Sequence, residues 1–519
     1  MAPHKKHFTA LIIVILITTY IGLHLHTLTT FPYVHSDESW LSGFSRTVLD
    51  KGTFKTSEPF FDLYPRAIHG LRLIFVSIQI FFIKLLGYKL FSLRLISLIF
   101  SLSSLGLIYK YFRYRQRSAL EALILTGIIG TMNQFVMMSH LARQEPLILF
   151  GMVLAFYLAQ KKQTPYSPYI ITAVIGLCIG VHPNSFLIGC SIGLLYLYRY
   201  FFKRGLKKPI IQYVLLLAIW ALGFIGLSFY LNPNFINDYL AFGTQLGVVN
   251  YSINRLQGFI YYYYKLYEQI GGTYVLVNIK FNLLIIAVGL IFTIIYIILN
   301  RKKEDLSALV SSLLMVVAIN FGLFIIGRYN QTAIIFPLIW GWILIFEYLF
   351  LIQKKIHHKQ VLNFLLCGLL ILQMSTTYNT LKVSRHEDYD IFGRQITSII
   401  PANAKVLGNL NMDYHLNLYQ LYDVRNLDYL DENNLDIQAY IKKNDITYVV
   451  LYEEMSYIYD AGGKWDILYG NLAYYKDLVT YLNTHGDLLK TFEAPTYGMR
   501  IAKYVDGYPW SVKIYQLEE

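Results

Sequence analysis

"RAIHGLRLIFVSIQIFFIKLLGY", residues 66–88, decides how the chain is threaded. Its average character is apolar, yet at 3.6 residues per turn Arg66, His69, Arg72 and Gln79 fall within a narrow arc. Only about ten residues separate Arg72 from Lys84, whereas a bilayer-crossing helix needs about 20 mostly apolar ones. The segment is therefore expected to be an interfacial helix rather than a span.

The basic residues test that choice. Convincing apolar runs lie near 8–27, 91–109, 119–138, 145–160, 168–181, 184–202, 209–231, 281–300, 305–327, 331–352 and 360–378. With 66–88 left out, one side receives Lys110/Arg113/Arg115/Arg117, Lys161/Lys162, Arg199/Lys203/Arg204/Lys207/Lys208, Arg301/Lys302/Lys303 and Lys354/Lys355/Lys359, together with Lys5 and Lys6. Counting 66–88 would separate the N-terminal lysines from all the others. The positive-inside rule thus favours about eleven spans with the N-terminus in the cytoplasm. The other face collects 28–90, 139–145, 182–184, 231–280, 328–330 and 379–519.

Composition agrees. Of 519 residues 55% are hydrophobic and only 15% charged, a balance that cannot coat a soluble globule of this size. The net charge of +13 comes from short clusters between apolar runs, which argues for cytoplasmic loops and against nucleic acid. Cys178, Cys190 and Cys367 all lie inside apolar runs, so neither a disulfide framework nor a Cys/His metal motif is expected. The first apolar run lacks a small-x-small cleavage site and reads as a retained helix, not a signal peptide. After about residue 380 the character changes. "AKVLGNL", "ITYVVLYEE" and "GMRIAKYV" read as strands, and "LDIQAYIKKND" and "YYKDLVTYLNTHG" as helices, giving a small α/β domain over 380–519 beside a membrane domain over 1–379. The expected fold is thus a polytopic α-helical membrane protein with a C-terminal soluble α/β domain.

Every chemically suggestive motif falls on the outer face. In "HSDESW", Ser36 is a candidate N-cap, the acids Asp37 and Glu38 suit a first helical turn, and Gly52 ends the helix. The same dipole keeps a carboxylate ionised and able to accept a proton. "SHLARQEP", 139–146, packs His140, Arg143 and Glu145 between two spans, where an arginine either snorkels to headgroups or serves a site. His182-Pro183-Asn184 reads as a tight turn, and Arg328-Tyr329 stands at the outer end of another span, with anion binding and snorkelling as its two readings. The tyrosine-rich run at 258–272 fits an interfacial belt, or a grip on sugar or isoprenoid. Carboxylates Asp37, Glu38 and Glu145 with cations Arg66, Arg143 and Arg328 at one membrane surface suit transfer of a group from a lipid-linked phosphate. The arginines neutralise the leaving phosphate and a carboxylate serves as base.

The order and spacing of "HSDESW", "FFDLYPRAIHGLRLIFVSIQIFFIKLLG", "LFSLRLISLIFSL", "SHLARQEPLILF", "VHPN" and "GRYN" resemble the GT-C superfamily, in particular its protein O-mannosyltransferase and lipid A aminoarabinose transferase branch. The resemblance implies an inverting transferase of the plasma membrane using a polyprenyl-phosphate sugar outside the cell, with a glycan, lipid or protein acceptor. It implies Asp37 as base with Glu38 beside it, and Arg66, Arg143 and Arg328 on the donor phosphate. His140, Glu145, His182 and Tyr329 are supporting residues, and no metal or other cofactor is indicated. Two positions depart from the pattern: Tyr64-Pro65-Arg66 replaces the Lys-Pro-Pro of many aminoarabinose relatives, and Glu145 stands where many have Asp. The competing classes are an envelope glycan polymerase or ligase, a lipid-linked sugar flippase, and a glycan-binding scaffold. A flippase would put its charges near the bilayer midplane, not at one surface.

Overall fold

A computed structural model describes the chain except residues 1, 2, 204–206, 246–254, 270–273, 275, 276, 301–304, 328, 356–358, 385–388, 462–471, 495–509 and 519. Arg328 and the whole of the expected strand "GMRIAKYV" lie outside the described residues.

The first helices are α1 (Pro3–Thr27), α2 (Ser36–Lys51), α3 (Leu73–Leu86), α4 (Leu90–Tyr114), α5 (Ala119–Gly130), α6 (Asn133–His140), α7 (Glu145–Gln160) and α8 (Ser167–Ile179). They are followed by α9 (Phe186–Phe202), α10 (Lys207–Leu231), α11 (Phe235–Gln245), α12 (Arg255–Glu268), α13 (Ile279–Asn300), α14 (Ser307–Ile326), α15 (Ile335–Lys355) and α16 (Lys359–Ser384). Among the described residues, seven are long and apolar enough to cross a membrane: α4, α9 with the turn before it, α10, α13, α14, α15 and α16. An eighth span is counted if α5 and α6, bent by 70° at their junction, form one crossing. Of the remaining apolar runs, α7 and α8 form shorter helices, and Ile13–Thr27 of α1 is a shorter apolar helix among the described residues. The protein is thus a membrane protein whose core is built on α15, where Trp340 and Trp342 are fully buried.

The decisive stretch divides differently from the periodicity. Arg66 and His69 are not helical; His69 is extended, a short 3-10 turn covers Gly70–Arg72, and α3 begins at Leu73. Gly70 explains the break. Its N–H donates to Ser228 Oγ of α10 at 2.9 Å, which draws the chain away from a helical path. The 14 residues of α3 reach about 21 Å, short of the ~30 Å hydrocarbon core.

Beyond α16 the chain forms α17 (Tyr389–Thr397), β1 (Lys405–Gly408), β2 (Leu421–Asp423), α18 (Ile437–Lys443), β3 (Ile446–Tyr452), α19 (Glu453–Ala461), α20 (Tyr475–His485), β4 (Gly486–Glu493) and β5 (Ser511–Leu517). The sheet order is β2-β1-β3-β5-β4, with β1 parallel to β2 and β3, and β5 antiparallel to β3 and β4. Its core takes in Val34, Phe60, Phe61 and Leu90 from the first loop and its flanks. Tyr440 donates to Asp62 at 2.7 Å, and Tyr64 stacks on Tyr429 with centroids 4.3 Å apart. The loop between α2 and α3 is thereby held between membrane helices and sheet.

Each end of α4 carries a buried or half-buried Arg–Glu pair. Near its start Arg94 pairs with Glu38 of α2. Past its last turn Arg115 pairs with the buried Glu347 of α15 at 3.0 Å, and Tyr111 donates to the same carboxylate at 2.8 Å. Arg94 and Arg115 are 21 residues apart along α4, so these pairs lie about 32 Å apart, one near each end of the bundle.

Candidate active site at the amino terminus of α2

α2 starts one residue earlier than Ser36 suggests. His35 is the N-cap: its Nδ1 accepts from Asp37 N–H at 3.1 Å, and Glu38 Oε1 accepts from His35 N–H at 3.0 Å. Ser36 is already helical. Gly52 closes the helix in the left-handed conformation at φ 65°. Asp37 and Glu38 occupy the first turn, where the helix dipole favours negative charge.

The two neighbouring carboxylates meet opposite surroundings. Glu38 is fully buried. Its Oε1 also accepts from Arg94 Nη2, while its Oε2 accepts from Arg94 Nε and Ala142 N–H, each at 2.8 Å. Arg94 Nη1 in turn donates to the carbonyls of Leu28 and Pro32 at 2.9 Å. Glu38 therefore joins α2, α4 and the turn before α7. The Asp37 side chain keeps 31% exposure. Its Oδ2 receives Arg143 Nη1, and Tyr274 O–H donates to it at 3.2 Å.

Arg143 is held on its other edge by Glu145, with Nη2 to Oε1 at 3.0 Å and Nε to Oε2 at 3.2 Å. Burial opposes the charge on Arg143, but Glu145, Tyr274 and Asp37 raise its proton affinity well above the ordinary value. Glu145 also accepts from Thr332 Oγ1 at 2.6 Å. Tyr274 is fixed by the Gln331 side-chain amide, whose Oε1 accepts from Tyr274 N–H at 3.1 Å and whose Nε2 donates to the Tyr274 carbonyl at 3.2 Å, and by stacking on His35 with centroids 4.2 Å apart. Burial keeps its phenol neutral far above pH 10, so it remains a donor to Asp37.

Arg66 lies over Trp40, one turn along α2 from Asp37, with its guanidinium carbon 3.9 Å from the ring centroid. The same Trp40 donates through Nε1 to Glu58 at 2.9 Å, and Glu58 accepts from Arg72 at 2.7 Å. Burial, then the charge of Arg425, brings Arg66 down to about 9.

Asp37, Arg143 and Glu145 are thus brought together, with Arg66 alongside. His182 caps a 3-10 turn, its Nδ1 accepting from Asn184 N–H at 3.0 Å. His140 faces elsewhere. Its Nδ1 contacts the Phe31 carbonyl at 2.9 Å, so Nδ1 must donate, Nε2 must accept, and His24 Nδ1 is the donor at 2.8 Å. Tyr329 donates to the Arg255 carbonyl at 3.3 Å and stacks on Tyr262, joining the tyrosine-rich α12 rather than Asp37. Arg94, Tyr274, Thr332 and Arg425 escaped the sequence reading. Only Arg94 left a local signal, as an arginine inside an apolar run. Among the described residues no group of three His, Cys, Asp or Glu is placed to hold a metal ion.

No protein-family model matches the sequence, and no curated protein matches it. Solved structures do match in fold. ArnT from Cupriavidus metallidurans bound to undecaprenyl phosphate aligns with a TM-score of 0.61 at 13% identity, covering 97% of this chain and 97% of that one. The apo state of the same enzyme aligns at 0.50 and 12% identity, covering 98% of each chain. The Archaeoglobus fulgidus oligosaccharyltransferase in complex with Zn and sulfate is a looser match, at 0.49 and 14% identity over 84% of this chain and 68% of that one. From end to end, the chain has the GT-C fold of membrane glycosyltransferases.

Proposed function

We propose that the protein is an inverting glycosyltransferase of the plasma membrane that moves a sugar from a polyprenyl-phosphate donor to an extracytoplasmic glycan, lipid or protein. The observation that carries this reading is the part-exposed Asp37 carboxylate, held by Arg143 and Tyr274 beside the stacked Arg66, on a GT-C fold. A structural neighbour with that fold is bound to undecaprenyl phosphate.

In this reading the acceptor hydroxyl gives its proton to Asp37 as its oxygen attacks the sugar C1 from the face opposite the phosphate. The C1–O bond breaks with its electrons leaving on the phosphate, so the configuration inverts. Phosphate departs without protonation, provided cations meet its growing charge. Arg66 is the first of these, and Arg143 and Arg328 belong to the same proposal. Arg143, shared between Asp37 and Glu145, also sets the orientation of the base. Glu38 holds α2 in place and takes no proton. The membrane region 1–379 carries the chemistry with its N-terminus in the cytoplasm, and 380–519 stands outside.

The test is transfer by the purified full-length protein in lipid nanodiscs, offered a panel of labelled polyprenyl-phosphate sugars and an envelope extract as acceptor. Labelled product with release of polyprenyl phosphate is expected for at least one donor. Equal labelling by Asp37→Asn would remove the base from the mechanism.

A further inference from the structure

Phe61, in the loop after α2, carries an arginine from each of two parts of the chain. The guanidinium carbon of Arg66 lies 4.5 Å from its ring centroid and that of Arg425 lies 5.0 Å from the same point. The two cations are therefore no further apart than those distances taken together. Asp37 acts on both charges. Arg425 comes from the turn after β2, more than three hundred residues along the chain from Arg66.

The position of Arg425 is set by hydrogen bonds that tie this turn to the first loop. Asp423 Oδ1 accepts from both the backbone N–H and Nε of Arg425, each at 2.9 Å. Asp423 N–H donates to the Phe60 carbonyl at 3.1 Å, and Asn426 Nδ2 donates to that same carbonyl at 2.8 Å. Asp423, two residues before Arg425, and Asn426, the residue after it, are thus both pinned to Phe60, the neighbour of Phe61. The bond to Asp423 uses Nε and leaves the two terminal nitrogens at the far end of the fork. The side chain keeps 15% exposure, whereas Asp423 has none.

Two guanidiniums on one ring repel each other, and burial makes that costly. Burial and then the charge of Arg425 lower the proton affinity of Arg66, whereas, against burial, Asp423 raises that of Arg425. An anion reaching both would relieve the repulsion. We propose that Arg425, supplied by the C-terminal domain, binds the same phosphate as Arg66, so that this domain completes the donor site. The inference rests on the lipid-phosphate reading above. It also suits the reaction. The phosphodiester of the donor carries one negative charge and the released polyprenyl phosphate gains a second, so an additional cation acts most strongly as the bond breaks. Planar forks on an aromatic face are well matched to phosphate oxygens.

The full-length protein in nanodiscs would be titrated with undecaprenyl phosphate and, separately, with undecaprenol. Arg425→Gln is expected to weaken phosphate binding at least tenfold, Arg425→Lys less, and neither should alter the response to the alcohol. Because Arg425→Gln leaves buried Asp423 without its cation, the paired change Asp423→Asn with Arg425→Gln is the deciding variant. It should show the same tenfold loss. Binding by the paired variant within twofold of wild type would overturn the proposal and leave the transferase reading standing. Wild-type protein that prefers the phosphate no more than the alcohol would overturn both. A measurement without substitution guards against misfolding: undecaprenyl phosphate, but not undecaprenol, should protect Arg425 and Arg66 from phenylglyoxal. Equal modification of Arg425 with and without the phosphate would overturn the assignment.

Discussion

Replacing Glu38 by Gln separates the two adjacent carboxylates most clearly. Glu38 accepts four hydrogen bonds, two at each oxygen, at 2.8–3.0 Å. Whichever way the new amide turns, its NH2 meets two N–H donors: His35 N and Arg94 Nη2, or Arg94 Nε and Ala142 N. The fully buried Arg94 also loses its counter-charge. Breaking a buried ion pair by removing one partner costs about 3–5 kcal/mol, against a typical total stability of about 5–15. Unfolding in mixed micelles, followed by circular dichroism as denaturing detergent is raised, would measure the loss. Arg94→Gln should cost a similar amount. The double variant should cost less than the two together by at least about 2 kcal/mol, since the second change no longer orphans a charge. Glu38→Gln within about 1 kcal/mol of wild type would refute the assignment of Glu38 as the joint between α2 and α4.

Three further outcomes are expected. Tyr274→Phe removes a donor to Asp37, and a hydrogen bond to a charged group contributes about 1.5–3 kcal/mol, so kcat/KM for transfer should fall at least about tenfold with little change in stability. Arg66→Ala should lower kcat/KM for the donor by a similar factor. Arg66→Lys should recover only part of it, because an ammonium neither stacks on Trp40 nor offers a planar fork. The third concerns Asp413, which accepts from Tyr88, faces Arg46 at 3.8 Å, and is joined to α2 through Ser42, which contacts both Tyr88 and Tyr414. Burial raises this carboxyl from 3.8 to about 6, so the folded protein keeps a proton that the unfolded chain has lost. The stability it contributes is complete below about pH 4 and declines by ~3 kcal/mol as pH rises to about 6. Melting curves of wild type and Asp413→Asn should diverge over that window, the wild type losing more; parallel curves would contradict the shift.

How far the sequence foretold the site depends on how local each feature is. The start and stop of α2 follow from capping chemistry, and the sequence reading missed only by one residue, because His35 rather than Ser36 supplies the cap. The turn at His182 was legible for the same reason. "SHLARQEP" drew notice because charge between two apolar runs is costly without a partner, and Arg143 does meet Asp37 and Glu145. The start of α3 was misplaced because helical periodicity cannot register a tertiary bond from Gly70 to α10, nor the stacking of Arg66 on Trp40. Tyr274, Thr332 and Arg425 reach the site from segments far along the chain and carry no spacing pattern of their own. The contrast in surroundings between Asp37 and Glu38 was equally hidden. It depends on which carboxylate faces Arg94, and that follows from packing α2 against α4.

The central claim is that Asp37 is the base. Single-turnover transfer with a labelled polyprenyl-phosphate sugar in nanodiscs, comparing wild type with Asp37→Asn at matched folded fraction, tests it most directly. Loss of a positioned base predicts a rate lower by about 10²–10⁴-fold, roughly 3–5 kcal/mol in the barrier, while binding of the lipid phosphate is retained. Transfer by Asp37→Asn at the wild-type rate would contradict the account.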